Sequence, residues 1–126
     1  MRTTLAIAAA ALIVLPATAD AGGFARTWHA PAGKHARSFD AVATSYAAFT
    51  VKLTVRHGRS FRLTLRNASG SFRAQLIDTR TYACTRSGAW DVCEAAYEAL
   101  PAGSYTFRLS KPRHSRASTA RLAVGW

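Results

Sequence analysis

From Phe49 onward, apolar and polar positions alternate along the chain. Phe49, Val51, Leu53 and Val55 take one parity, and Thr50, Lys52, Thr54 and Arg56 the other. A β-branched run with period two predicts a half-buried strand. His57-Gly58 follows, and a glycine free to take positive φ predicts a tight hairpin there. Arg59 to Arg66 reads as the returning strand, with Phe61, Leu63 and Leu65 opposite in parity to Arg62, Thr64 and Arg66. Asn67-Ala68-Ser69-Gly70 is turn chemistry, and Phe72 to Ile77 reads as a third strand. Further on, Tyr105, Phe107 and Leu109 alternate with Thr106 and Arg108, and Leu122, Val124 and Trp126 with Arg121, Ala123 and Gly125. Strands separated by turn signals every dozen residues or so predict an antiparallel sandwich or barrel, not βαβ units. One sheet with a wet face would hide too little apolar surface. Two packed sheets, an all-β antiparallel sandwich, are therefore expected.

Two segments do not follow the alternation. Asp91 to Leu100, "DVCEAAYEAL", carries Val92, Ala96 and Leu100 at helical spacing, and Asp91 with Glu94 could cap a helix. Cys93, Ala95, Tyr97 and Ala99 fit a strand equally well, so periodicity leaves both open. Gly22 to Arg37 shows no period; Gly, Pro, Ala and basic residues dominate it. Residues 22–40 read as a flexible leader that pins Phe24 or Trp28 onto a sandwich at 41–126. Ahead of it, Met1-Arg2, the apolar run Leu5 to Leu15, Pro16 and "ATADA" form the three-part pattern of a secretory signal peptide. Cleavage is expected after Ala19 or Ala21, giving a signal segment of residues 1–21. The apolar run is short for a bilayer span, and no second run predicts an integral segment after cleavage.

Charge and cysteines then narrow the picture. Cleavage after Ala19 removes one of 17 basic residues and leaves 6 acids, a net +10; cleavage after Ala21 also removes Asp20, giving +11. That excess favours anionic partners: acidic glycans, phosphorylated envelope polymers, nucleic acid or a membrane surface. Arginine far outnumbers lysine, 14 to 3. Planar guanidinium forks suit carboxylates, phosphates and aromatic faces, although codon bias in an alanine-rich chain produces the same excess. Cys84 and Cys93 are the only cysteines. In an exported chain they are expected to form a disulfide, stabilising by about 2.5 kcal/mol in the chain-entropy picture. Their spacing lacks the short ligand pairs of zinc sites and the C-x-x-C of redox pairs.

The segment from about Ser45 to Trp126 resembles the bacterial pre-peptidase C-terminal domain. "FTVKLTVRHGRSFRLTL" is similar to the family's first strand pair, and "FRAQLIDTRTYACTRSGAWDVC" to its central strand and cysteine-bearing loop. "EAAYEALPAGSYTFRL", above all Leu100 to Leu109, is similar to its Gly turn and Tyr-bearing strand. The resemblance implies a jelly-roll-like β-sandwich that serves binding, targeting or secretion beside exported enzymes. It also implies a strand for Asp91 to Leu100. The family's central strand often carries aspartates, where this chain reads Ser71-Phe72-Arg73-Ala74-Gln75-Leu76, so no calcium role is carried over. No enzyme domain accompanies this copy, and a free-standing module is expected.

Catalytic patterns are absent. There is no G-x-S-x-G elbow, and Ser69-Gly70-Ser71 sits in a predicted turn. Asp40, Asp78, Asp91, Glu94 and Glu98 are the acids certain to remain after cleavage, and the neighbours Asp91, Glu94 and Glu98 read as ion-pair partners for arginine rather than a facing glycosidase dyad. His29, His35, His57 and His114 make no metal spacing. Asn67-Ala68-Ser69 matches a glycosylation sequon by chance. No enzyme activity, metal or cofactor is expected. The candidate polyanion-binding residues are Arg56, Arg59, Arg62, Arg66 and Arg73 on one strand run, with Lys111, Arg113 and Arg116 in a basic loop. Nucleic acid is disfavoured, because the strand aromatics share the core parity and only Tyr46, Trp90 and Trp28 are placed to stack on bases. The leading expectation is a periplasmic or extracellular, non-catalytic binding module for an anionic envelope polymer or acidic glycan. The alternative is a secreted accessory protein that binds an exported protein, such as a protease, through an apolar patch.

Overall fold

A computed structural model of the chain describes residues 22–67, 74–97 and 100–126, with residues 74–76 described at the backbone only. The expected signal segment, Phe72, Arg73, the Leu76 side chain and Glu98 lie outside the described residues. Among the described residues nine strands follow one another: β1 Gly23–Ala30, β2 Ala36–Ala43, β3 Thr50–Arg56, β4 Arg62–Asn67, β5 Ala74–Asp78, β6 Thr85–Ser87, β7 Trp90–Ala96, β8 Gly103–Ser110 and β9 Ser118–Gly125. They form a five-stranded sheet in the order β1-β9-β3-β7-β6 and a four-stranded sheet in the order β2-β8-β4-β5. All these pairings are antiparallel. The expected all-β antiparallel sandwich is the fold observed.

Alternation works as the pattern predicts in the central strands. Val51, Leu53 and Val55 of β3, Leu63 and Leu65 of β4, Phe107 and Leu109 of β8, and Leu122 and Val124 of β9 are buried between the sheets. Phe49 and Phe107 are both fully buried and meet edge to face, with ring centroids 5.6 Å apart. Phe49 also touches Tyr105 and Trp126, and Phe24 touches Phe39, Phe107 and Trp126. These aromatic contacts tie the two sheets to each other.

The turn at His57-Gly58 does not make a hairpin. Gly58 has the expected positive φ, 83°. But β9 and β7 already occupy both edges of β3, so β4 cannot pair with it. His57 N donates instead to Ala89 O, and the chain crosses to the opposite sheet, where Phe61 is buried.

Nor are residues 22–40 a flexible leader. Gly23 to Ala30 pairs residue for residue with β9, and Ala36 to Ala43 pairs with β8. Among the described residues the sandwich therefore reaches back to Gly22, whose backbone exchanges two hydrogen bonds with Trp126. A Cβ at Gly22 would lie 2.5 Å from the Trp126 ring, so any side chain there would have to push the indole aside. The period was hidden for a physical reason. Most core positions of these strands are alanines (Ala30, Ala41, Ala43), and Arg26 and Arg37 stand on the core parity at the sheet edges. Their guanidiniums lie over Phe24 and Phe39, at 5.7 and 5.1 Å from the ring centroids. Charges turned inward on edge strands block edge-to-edge pairing with other chains.

Asp91 to Ala96 is strand, the reading the family resemblance implied. It pairs with β3 in unbroken register, and Cys93 is fully buried opposite Leu53. Cys84 and Cys93 form a disulfide, with a Cα separation of 4.4 Å, that fastens the segment after β5 to β7.

Removing the Phe49 ring should lower the unfolding free energy by about 3–5 kcal/mol. Val42→Thr, on the exposed face of β2, should change it by less than about 0.5 kcal/mol. Urea unfolding of both variants checks this; equal losses would contradict the assignment of the inter-sheet core.

Candidate functional site

Because β3 and β4 belong to different sheets, the strand arginines point to opposite sides of the molecule. Outward parity in β4 places Arg62 and Arg66 on the four-stranded sheet, with Arg108 of β8 beside Thr64. Outward parity in β3 places Lys52 and Arg56 on the five-stranded sheet. The candidate cations of that one strand run are thus divided between two faces, and Arg73 lies outside the described residues.

On the five-stranded face the register builds a platform. Trp90 opens β7 opposite Arg56, and Arg121 of β9 pairs with Thr54 on the far side of β3. The Arg56 guanidinium carbon lies 5.2 Å from the Trp90 ring centroid, and that of Arg121 lies 4.4 Å away. An indole face attracts guanidinium and fixes its plane. Neither arginine has a carboxylate within ion-pair distance among the described residues. Arg121 was absent from the residues expected from sequence. Its outward parity in the last strand is the only local signal for it, because the meeting with Trp90 depends on the strand order β9-β3-β7.

Beyond the platform the same face is low. A depression of about 260 Å³ is lined by Ala25, Thr27, Lys52, Thr54, Arg121 and Ala123 among others. It adjoins a wider one of about 650 Å³ lined by Thr50, Ala96, Ala123 and Gly125, with Lys52 opposite Glu94. Small side chains keep the centre of the sheet open along the strands, and the Arg–Trp–Arg group stands at one end.

The loops at that end gather the remaining cations. The β3–β4 connection carries Arg59, the β5–β6 connection Arg80, and the β8–β9 connection Lys111, Arg113 and Arg116. The described loop residues at the opposite end, 44–49 and 100–102 with Tyr97, contain no cation. Not every cation here is available. Arg62 donates to Asp78 Oδ2 at 3.0 Å, and Arg80 Nε lies 4.0 Å from Asp78 Oδ1. Lys111 is buried, and its Nζ donates to the carbonyls of Ser115 and Arg116 and to Ser115 Oγ at 3.1–3.3 Å. It organises the basic loop and is not on the surface where the sequence placed it.

Two carboxylates hold this end together. Asp78 accepts from the Arg80 backbone N–H and from Arg62, and these bonds hold its carboxyl below the usual value of 3.8 despite burial. Asp91 accepts from His57 Nδ1 at 2.8 Å and from the Gly58 N–H, and the His57 bond lowers it in the same way. Asp91 is therefore hydrogen-bonded to a histidine, where the sequence suggested an arginine partner. Asp91 and Glu94 are on opposite parities of β7 and do not face each other across a cleft. At the other end, the Tyr105 hydroxyl donates to Pro101 O within "LPAGSY", and burial raises its pKa.

No family model matches the chain, and no curated protein does. Its fold is that of the pre-peptidase C-terminal domain. It is similar to the crystal structure of that domain from a Bacillus anthracis collagenase, at 13% identity and a TM-score of 0.57, over 81% of this chain and 88% of that one. An exo-β-1,3-galactanase from Phanerochaete chrysosporium is also similar, at 11% identity and a TM-score of 0.48, but the match spans only 27% of that protein.

Both depressed carboxylates give the pH dependence a definite sign. A folded-state value below 3.8 contributes stability that is complete above that pH and is lost as pH falls through the folded value. Urea midpoints should hold steady down to about pH 5 and fall below about pH 4. Asp78→Asn should flatten that acid limb; an unchanged limb would show that Asp78 does not titrate with unfolding.

Proposed function

We propose that the protein is an exported, non-catalytic binding module that holds an anionic polymer along the outer face of its five-stranded sheet. The observation that carries this reading is the convergence of Arg56 and Arg121 on Trp90 at the end of an open depression. Two guanidiniums with no carboxylate partner among the described residues offer in-plane N–H donors to carboxylate, sulfate or phosphate groups. The indole beneath them fixes the planes in which those donors are presented. Arg56 and Arg121, then Lys52, spread positive charge along the strand direction, as a linear polyanion requires. The net charge of the mature chain supports association with such polymers at modest salt. The disulfide fits an oxidising, exported setting.

A protein partner is the second reading. It rests on Val42 and Tyr46, which are 61% and 72% exposed and follow one another around the edge strand β2. Such a contact would be insensitive to salt, which separates it from the first.

Heparin chromatography tests the leading proposal. The chain should be retained at moderate salt. An Arg56→Gln/Arg121→Gln variant should elute earlier, with the slope of log affinity against log salt reduced by roughly two charges. Trp90→Ala should weaken binding without changing that slope by more than about one. Passage of the unaltered chain through the column, or an unchanged elution of the double variant, would remove this face as the binding surface.

A further inference from the structure

At the cationic end, two pockets lie on either side of the buried Lys111, and they differ in one decisive respect. The first, about 220 Å³, contains Arg62 and Arg80 together with Asp78, whose carboxylate answers both. The second, about 180 Å³, lies between the β3–β4 turn and the β8–β9 loop. It is lined by Arg59, Lys111 and Arg116 with Ser60, Ser115 and Ser118, and no acidic residue lines it.

Within the second pocket the donors are left over. Lys111 is only 5% exposed, and its ammonium is held by three neutral oxygens, with no carboxylate within ion-pair distance among the described residues. Those oxygens satisfy its hydrogen bonds but leave its charge without a counter-ion in a place shielded from solvent. Ser118 also lines this pocket, and its buried hydroxyl has no hydrogen-bond partner among the described residues. Buried polar atoms are nearly always paired, and one that is not points to a missing partner. The loop holds this shape at a cost: His114 sits at φ 64°, a conformation few side chains adopt, while Ser115 Oγ bonds back to Pro112 O. Such local strain persists where surrounding contacts over-determine it.

We infer that this pocket is an oxyanion site for a doubly charged tetrahedral group, a phosphate or a phosphate monoester. Arg59 and Arg116 supply guanidinium donors, Ser118 supplies a hydroxyl, and Lys111 supplies a fixed positive field behind them. Three cations without an acid favour a dianion over a carboxylate or a phosphodiester, each of which brings a single charge. The space exceeds several water volumes, each about 30 Å³, so the anion enters without displacing protein. The site deepens the polymer reading and rests on it in one respect: a phosphate monoester at a chain end would anchor here while the chain lies on the sheet face. Free phosphate would use the same donors.

The test is a titration of the mature chain with inorganic phosphate and, separately, methyl phosphate, followed by amide chemical shifts. Saturable shifts are expected at Gly58 to Phe61 and at Ser115 to Ser118. Arg59→Gln/Arg116→Gln should weaken binding at least about tenfold, and Ser118→Ala, a smaller change to the fold, by a few-fold. Arg56→Gln/Arg121→Gln should leave phosphate binding intact. Preference for methyl phosphate would assign the pocket to a polymer end, and preference for inorganic phosphate to the free anion; either supports the site. The absence of saturable shifts with both probes would overturn it, as would unchanged affinity in the Arg59/Arg116 variant. Phosphate binding without heparin retention would leave the pocket standing and remove the polymer reading. Heparin retention without phosphate binding would do the reverse.

Discussion

The edge-to-face contact between Phe49 and Phe107 is the point on which the sandwich turns. Phe49 enters just before β3 of one sheet, and Phe107 lies mid-strand in β8 of the other; both rings are fully excluded from water. The single disulfide does not do this work, because Cys84 and Cys93 join β7 to the segment that runs into its neighbour β6. What keeps the sheets in register is aromatic burial, with each such pair adding about 0.5–1.5 kcal/mol beyond its area. Every loop at the cationic end hangs from strands that this core positions.

That core also decides where the charges go. Once β9 and β7 flank β3, the chain after Gly58 must cross to the other sheet, and the uniform alternation of apolar and basic residues is split between two faces. The split leaves Arg62 close enough to Asp78 to be paired, while Arg56 has no carboxylate partner among the described residues and meets Trp90. Two arginines read from one repeating pattern thus end in different chemical situations. One is committed to holding a turn, and the other presents its donors to solvent.

The legibility of the fold follows from the same facts. Strands β3, β4, β8 and β9 could be read because large apolar side chains occupy two or three successive core-parity positions in each. Strands β1 and β2 could not, because alanines fill much of their core parity and Arg26 and Arg37 interrupt it at the edges. The crossing at Gly58 was hidden because a positive-φ glycine serves a hairpin and an arch between sheets alike; only the competition for the edges of β3 separates them. The Arg–Trp–Arg platform was half legible. Trp90 and Arg56 were visible as candidates, but Arg121 joins them only through pairing between residues distant in sequence. Lys111 misled for a different reason: a lysine in a basic loop reads as surface charge until its acceptors are known.

The choice of arginine over lysine now has a structural content at some positions. At Arg26, Arg37, Arg56 and Arg121 the guanidinium lies over an aromatic ring, a geometry in which a flat, weakly hydrated cation stacks and a compact ammonium does not. At Arg62 it meets a carboxylate held under the neighbouring turn. The one lysine that is deeply buried, Lys111, occupies the one place where a compact ammonium with three donors fits, at the centre of a loop that wraps three oxygens around it. Codon bias can raise the arginine count of a whole chain, but it does not sort guanidiniums onto rings and the ammonium into a loop. That sorting is what packing and hydrogen bonding would select.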